Sequence, residues 1–502
     1  MTHSAGGSIL RQTISGAGWI IGWRMTTRLL GLLSTLVLVR LLAPQDFGLV
    51  ALAAGFWQAI DAMSSLGVEE ALVRERAPDR ALYDTGFTIN ALRGVATAAI
   101  ILAGAWPFAW FFSEPRLAPV LLALSFSAFL NGLENIAIVD FRRQMDFRKE
   151  FVLAVFPRFA SIGVTILVAV LLHSHWALVA GILLSVTLRI LGGYIVHPYR
   201  PRLSLSRWSV ISGFSFWSWA VSVAILLRDR IDVFVIGRML GLEPVGIYSV
   251  ASEISALPTS ELVAPLGRAC FSAFAAARHS GDDVSATYLR LLGSAALLGV
   301  PAGVGISLMA GPIVHLAFGD RWLAATSLIQ LLGCTLTVSL LGTMSASFLN
   351  AHALLRQQVR VQLAVIAARL AAMVALTAVY GLMGAAVGAS LAMVLENLWY
   401  TGLVLHRLGK GWAQAVGQIW RPVLSASGMA ILLSASGLGW TPVSGDLGSV
   451  LTALAAGVAG GAAIYTALIV LLWQLSGRPD GAERDALSAL RLMVGAVGRR
   501  LQ

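Results

Sequence analysis

The sequence contains little charge. Only 12% of its 502 residues are Asp, Glu, Lys or Arg, whereas 57% are hydrophobic and the mean hydropathy is +0.80. Soluble domains carry about 25% charged residues, so this composition excludes an ordinary soluble protein. It predicts an all-α polytopic membrane protein.

The sequence has few cysteines, no recognisable leader pattern and none of the common catalytic motifs. The two cysteines, Cys270 and Cys334, lie in or beside apolar segments without metal-ligand spacing, so we interpret them as small apolar residues. The N-terminus lacks a charged and then apolar leader with a cleavage site, so the first apolar segment is expected to be retained. No P-loop, zinc-binding HExxH or nucleophile elbow occurs. The sequence therefore predicts no enzyme, no metal site and no cofactor.

Long apolar runs predict about fourteen transmembrane helices, because about 20 apolar residues cross a bilayer. We place them at residues 17–42, 46–68, 86–112, 117–140, 151–172, 176–197, 210–237, 245–266, 288–314, 322–350, 360–380, 382–405, 417–440 and 448–475. The eleventh and twelfth segments are separated only by residues 380–382.

The distribution of arginine and lysine predicts the orientation of these helices. Loops on one side contain only Arg40, Arg116, Arg238 and Arg321. The alternate loops and the C-terminal tail are basic throughout, which is typical of cytoplasmic segments. Both termini are therefore predicted to be cytoplasmic. The net charge of +11 then reflects topology and not nucleic-acid binding.

An internal repeat predicts the domain organisation. Residues 38–53 read LVRLLAPQDFGLVALA, and residues 236–251 read IGRMLGLEPVGIYSVA, at a constant offset of 198. An even number of spans separates the copies, so they share one orientation, as in parallel transporter repeats. We predict two pseudo-symmetric lobes of about six helices each, at residues 1–198 and 199–410. Two additional helices follow at 411–475, and then a cytoplasmic amphipathic tail at 476–502.

Charges inside the predicted spans are the candidate functional residues, because they are expensive in a bilayer. Candidate substrate-binding cations are Arg24, Arg28, Arg93, Arg158, Arg230 and Arg369. Candidate ion-coupling or charge-pairing acids are Asp61, Asp232, Glu253, Glu261 and Glu396.

Alternative interpretations exist for several of these charges. Arg228, Asp229, Arg230 and Asp232 neutralise one another in one interpretation, and Arg93 and Arg158 extend to the lipid headgroups in another. Arg28 lies deep in the first span with no acid one turn away, and Asp61 on the next span is its candidate partner. The excess of arginine favours an anionic substrate, because guanidinium binds phosphate bidentately.

Two stretches carry a family resemblance. RLLAPQDFGL at residues 40–49 and DFRRQMDFRK at residues 140–149 resemble the Wzx-type oligosaccharide flippases of the MOP (multidrug/oligosaccharidyl-lipid/polysaccharide) superfamily. The resemblance implies a MATE-like fold and flipping of an undecaprenyl-pyrophosphate-linked oligosaccharide across the bacterial inner membrane for surface polysaccharide synthesis. It implies alternating access, no ATP site of the protein's own, and membrane lipids, a polymerase or glycosyltransferases as partners.

Three other functions remain open from the sequence. They are a MATE-like cation-coupled exporter of small molecules, a lipid II flippase, and a non-transporting scaffold within a polysaccharide synthase complex. The repeat argues against the scaffold, because two lobes that move against each other are a feature of transporters.

The predicted topology is testable with reporter tags. We expect tags at Gly319 and Ser444 to report the periplasm, and tags at Gly281 and Gly481 to report the cytoplasm. A cytoplasmic report from Ser444 would remove the last two spans from this topology.

Overall fold

The computed structural model describes residues 25–64, 78–143, 147–208, 216–257, 284–440 and 446–488, with isolated positions between these ranges. All regular secondary structure in these ranges is helical. The helices are α1 (25–41), α2 (Pro44–Met63), α3 (Arg80–Phe111), α4 (Leu117–Gly132), α5 (Val139–Arg143), α6 (Phe147–Leu172), α7 (Trp176–Val196), α8 (Phe216–Leu240), α9 (Leu242–Ser255), α10 (Val284–Leu308), α11 (Ala310–Ala317), α12 (Ala325–Leu336), α13 (Ser339–Ala351), α14 (Leu355–Arg407), α15 (Trp412–Ala435), α16 (Leu447–Leu475) and α17 (482–488).

The protein is a multi-pass membrane protein. Within the described ranges, 6 helices are long and apolar enough to cross a bilayer, namely α3, α6, α7, α10, α14 and α16. The pair α12 and α13, bent by 43°, makes up to 7 if it forms one broken span. The total of about fourteen spans remains a prediction.

The longest helix, α14, consists of two helices joined at a glycine. Its 53 residues would extend about 80 Å if straight, far more than a bilayer core of about 30 Å. Gly381 has φ +59° and ψ −138°, a conformation that favours glycine and turns the chain back on itself. A Cβ on Gly388 would lie 2.8 Å from the backbone of Met373, so the two arms pack closely. This break coincides with the boundary predicted between the eleventh and twelfth segments.

Packing divides the chain into two compact units, Met1–Gly246 and Ile247–Gln502. The boundary lies inside α9, so α8 belongs by its contacts to the first unit. Within that unit α8 packs along α2, with Gly237 against Leu52 and Gly55 against Phe234. The division into lobes at residues 198 and 410 remains a prediction.

The basic linker that follows α7 is fixed to the start of α3. The Tyr199 hydroxyl donates to Asp84 Oδ1 at 2.6 Å, and the Arg202 backbone N–H donates to the same oxygen at 3.0 Å. The Ser204 N–H donates to Thr88 Oγ1 at 2.8 Å. Burial and the hydrogen bond to Asp84 raise the pKa of Tyr199 above its ordinary value, so the phenol stays protonated as a donor.

A second anchor holds the far end of the linker. Arg207 donates to Asp79 Oδ2 at 2.6 Å, and this hydrogen bond lowers the pKa of Asp79 below its ordinary value. At the near end, burial lowers the pKa of His197, although the Asp140 carboxylate 3.7 Å away opposes that shift. The linker is therefore a fixed strap over the first helical turns of α3.

The start of the C-terminal tail is docked inside the second unit. Arg421 of α15 donates to both carboxylate oxygens of Glu483, at 2.7 and 3.2 Å, and both side chains are only 7% exposed. Ala482 is buried beside Gly293 of α10. The sequence predicts an amphipathic tail, but most of that stretch, residues 489–502, lies outside the described residues.

We expect Arg421→Ala to destabilise the second unit by about 3 kcal/mol, because it leaves the Glu483 carboxylate buried without its counterion. The double variant Arg421→Met with Glu483→Leu should recover much of that loss. Thermal unfolding of the purified protein in detergent measures both effects. A double variant no more stable than Arg421→Ala would contradict a buried ion pair.

Candidate functional site

Two of the predicted cations lie near the same face of α1. Arg28 is partly buried on this helix, three residues before Gly31 and therefore on the same face. A Cβ on Gly31 would lie 3.2 Å from Nη2 of Arg158, which reaches across from α6. The Arg158 side chain is exposed. These guanidinium groups approach one face of α1 from two helices.

The Asp61 carboxylate pairs with Arg93. Oδ1 of Asp61 on α2 lies 3.4 Å from Nη1 of Arg93 on α3, with 40% and 19% of the side chains exposed. The predicted pairing of Asp61 with Arg28 stays a prediction. The sequence could not decide between the two, because both arginines lie one helix away from Asp61.

The remaining described candidates of the first unit, Arg230 and Asp232, lie on α8. Arg230 Nη2 donates to Gln58 Oε1 across the interface between α2 and α8. Arg228 instead pairs with its neighbour Asp229, with Nη2 at 2.7 Å from Oδ1. Part of the predicted mutual neutralisation is therefore present in the pair Arg228 and Asp229, whereas Arg230 donates to a neutral amide and also interacts electrostatically with Asp229. Asp232, about two turns before the end of α8, is buried at 5% exposure.

Two candidates of the second unit, Arg369 and Glu396, lie on the two arms of α14. Arg369 and Glu396 are only 6% and 5% exposed. Gln362 Nε2 donates to Glu396 Oε1 at 2.7 Å and to the Tyr400 hydroxyl at 2.9 Å. Buried polar contacts of this kind join helices in membranes. These two charges are therefore much less accessible than Arg158 of the first unit, whose side chain is exposed.

The remaining candidates are not brought into either group. Glu253, near the end of α9, is exposed. Arg24 and Glu261 lie outside the described residues. Across the part of the chain that the structure describes, no group of three or more His, Cys, Asp or Glu side chains is arranged to hold a metal ion.

Comparison with known protein families decides what this helical protein is. Residues 37–327 match the family model described as polysaccharide biosynthesis protein. The chain belongs to this family.

Curated relatives of this polysaccharide biosynthesis protein carry related names. The succinoglycan biosynthesis transport protein ExoT of Rhizobium meliloti is 26% identical over 63% of this chain and 64% of its own length. The lipopolysaccharide biosynthesis protein WzxC of Escherichia coli is 24% identical over 83% of this chain and 85% of its own length.

Solved structures define the fold of this polysaccharide biosynthesis protein. A lipid II flippase, MurJ, superposes with a TM-score of 0.69 at 13% identity, covering 90% of this chain and 98% of MurJ. An inward-facing MATE family transporter of the MOP superfamily superposes with a TM-score of 0.64 at 16% identity, covering 76% and 94%. The fold is therefore that of MurJ and the MATE transporters.

Sequence reasoning missed two features of this family member. Gln58 is not among the predicted candidates, because a neutral amide inside a span gives a weaker signal than a charge. Its position three residues before Asp61 was the available indication. The Arg421–Glu483 pair was overlooked because Glu483 lies in a polar tail, where a single acid gives no indication of burial. An arginine just inside the cytoplasmic end of the thirteenth segment was the available indication.

Proposed function

We propose that this polysaccharide biosynthesis protein flips an undecaprenyl-pyrophosphate-linked oligosaccharide from the cytoplasmic to the outer leaflet of the bacterial inner membrane. Membership of the family supports this function, as do relatives named for succinoglycan, lipopolysaccharide, teichuronic acid and amylovoran biosynthesis. A MATE-like fold suits transport by alternating access between two lobes.

The observation that supports this mechanism is the hydrogen bond from Arg230 to Gln58. An arginine deep in a membrane costs at least about 2.5 kcal/mol on insertion scales, so its charge needs compensation. Its hydrogen-bond acceptor is the neutral Gln58 amide, and the nearby Asp229 carboxylate is already paired with Arg228, so an anion can compete for the Arg230 guanidinium. A pyrophosphate oxygen that replaced the amide would form a charge-assisted and stronger bond.

The other cations of the first unit extend this binding role. Arg28 and Arg158 at α1 and Arg93 at α3 provide further donors for the phosphates. In this proposal the Asp61–Arg93 pair opens when the anion binds, because phosphate competes for the same guanidinium. Asp61, Asp232, Glu253, Glu261 and Glu396 stay candidates for ion coupling, and Arg369 has a packing role.

The cellular context follows from the same proposal. The termini, the basic linker and the tail face the cytoplasm, where the glycolipid is assembled. Glycosyltransferases that build the repeat unit and the polymerase that consumes it on the outer side are the partners expected at the two faces.

Two other functions of the same fold remain candidates. The TM-score of 0.69 with MurJ favours a lipid II flippase, and that of 0.64 with a MATE transporter favours a small-molecule exporter. An exporter of cations requires acids in its binding site, whereas the described candidate charges of the first unit include more arginines than acids.

We expect a deletion strain to accumulate a lipid-linked repeat unit on the inner leaflet and to lose its surface polysaccharide. Extraction and mass spectrometry of the lipid-linked intermediates, with staining of the surface polymer, measure both. Accumulation of lipid II would support the lipid II flippase instead. Normal polymer with altered drug susceptibility would support the exporter.

We expect Arg230→Ala to reduce surface polysaccharide strongly at normal membrane abundance, because the site loses the cation whose described hydrogen-bond partner is a neutral amide. Arg230→Lys should be intermediate, since lysine keeps the charge but loses the bidentate fork. Arg228→Ala is the matched control two residues away, because Arg228 is paired with Asp229. Equal transport by Arg228→Ala and Arg230→Ala would contradict the role of Arg230.

A further inference from the structure

The two copies of the sequence repeat touch each other. A Cβ built on Gly48 would clash with the carbonyl oxygen of Leu242, and one built on Gly246 would clash with the carbonyl oxygen of Pro44. Leu242 follows Pro44 by 198 residues, and Gly246 follows Gly48 by the same 198. The contact is therefore reciprocal, each glycine receiving the equivalent carbonyl of the other copy, and it lies within the first unit.

Only glycine permits this approach of two backbones. The Cβ of Gly48 would be 3.0 Å from the Gly246 nitrogen, and that of Gly246 would be 3.1 Å from the Gly48 nitrogen. Small residues allow membrane helices to approach closely through van der Waals contact. Because the described contact uses backbone surfaces and not interlocked side chains, it can separate without repacking a core.

The contact lies at the predicted outer end of α2. The loop before it carries Arg40 alone, which is typical of the side opposite the cytoplasm. Gln58, the partner of Arg230, is ten residues further along α2, about 15 Å deeper at 1.5 Å per residue. The proposed phosphate site therefore lies on the cytoplasmic side of the glycine contact.

Aromatic side chains lie between the depth of the glycine contact and the depth of Gln58. The ring centroids of Phe56 on α2 and Phe108 on α3 are 4.2 Å apart, and Phe234 on α8 is 5.9 Å from Phe108. Deeper along α2, contacts with α8 run through side chains, as at Leu52 with Gly237. A path from Arg230 to the outer surface along this interface is thus closed twice, first by aromatic rings and then by glycine backbone.

From this arrangement we infer that Gly48 and Gly246 form the outer gate of the transport path, closed in this structure and opened when the glycolipid leaves. The inference rests on the proposed function, and it assigns the repeat a mechanical role. Each copy supplies one glycine and one carbonyl, so the gate requires both copies of the motif.

A thiol reporter behind the contact tests the gate. The two cysteines, Cys270 and Cys334, are replaced by alanine, and Leu52→Cys is introduced, because Leu52 is fully buried next to Gly237. A membrane-impermeant maleimide added from outside should label this reporter slowly. Adding Gly48→Ala or Gly246→Ala should raise the labelling rate severalfold, since the methyl group forces the backbones apart.

Gly163→Ala in α6 is the matched control, because nothing lies within 4 Å of a Cβ at that helical glycine. It should leave labelling unchanged. Equal labelling rates for Gly48→Ala and Gly163→Ala, at equal thermal stability, would overturn the gate.

Cross-linking provides a second test that does not depend on a steric clash. Gly55→Cys with Phe234→Cys places two thiols in contact across α2 and α8, since a Cβ on Gly55 lies 3.4 Å from the Phe234 ring. A short bis-methanethiosulfonate reagent should stop the appearance of surface polysaccharide, and reduction should restore it, whereas either single cysteine should be unaffected. Continued transport by the cross-linked protein would also overturn the gate.

The labelling assay does not involve the sugar. A gate that opens in Gly48→Ala while the deletion strain makes normal polysaccharide would retain the gate and reject the proposed substrate. Loss of polysaccharide in the deletion strain, with no change in the labelling rate of Gly48→Ala, would support the proposed substrate and reject the gate.

Discussion

The exclusion of uncompensated polar groups from the bilayer is the constraint on which this structure depends. Backbone groups in hydrocarbon must be satisfied within the chain, and this requirement makes every described element helical. Side-chain charges follow the same rule: Asp61 faces Arg93, Arg228 faces Asp229, and Glu396 accepts from Gln362. Arg230 instead donates to the neutral Gln58 amide.

The two units satisfy this constraint differently. In the first unit, the paired side chains of Asp61, Arg93, Arg228 and Asp229 are at least partly exposed. In the second unit, polar groups form a buried hydrogen-bond network. The hydroxyls of Tyr288 and Ser345 are hydrogen-bonded at 2.8 Å, and those of Ser345 and Thr401 at 3.2 Å. Satisfied buried networks hold helices in one arrangement. These buried hydrogen bonds therefore join helices of the second unit to one another.

The contact between Gly48 and Gly246 in the first unit gives a physical reason for the sequence repeat. Turns after apolar helices tolerate many residues, but a backbone that meets its own equivalent at van der Waals distance tolerates only glycine. Gly48 and Gly246 meet this condition reciprocally. A contact made of backbone atoms contributes dispersion energy without interlocking, which suits a surface that must close and open repeatedly.

The sequence by itself determined the membrane class, the helical architecture, the family resemblance, the Gly381 break and the set of charges from which any site must be drawn. These properties depend on composition and on local periodicity, which each segment carries within itself. Tertiary structure alone decided that Asp61 serves Arg93, that Arg230 meets Gln58, and that Glu483 leaves a polar tail to bind Arg421. Each of these pairings joins two different helices, and helical periodicity specifies which face a residue occupies but not which neighbour that face meets.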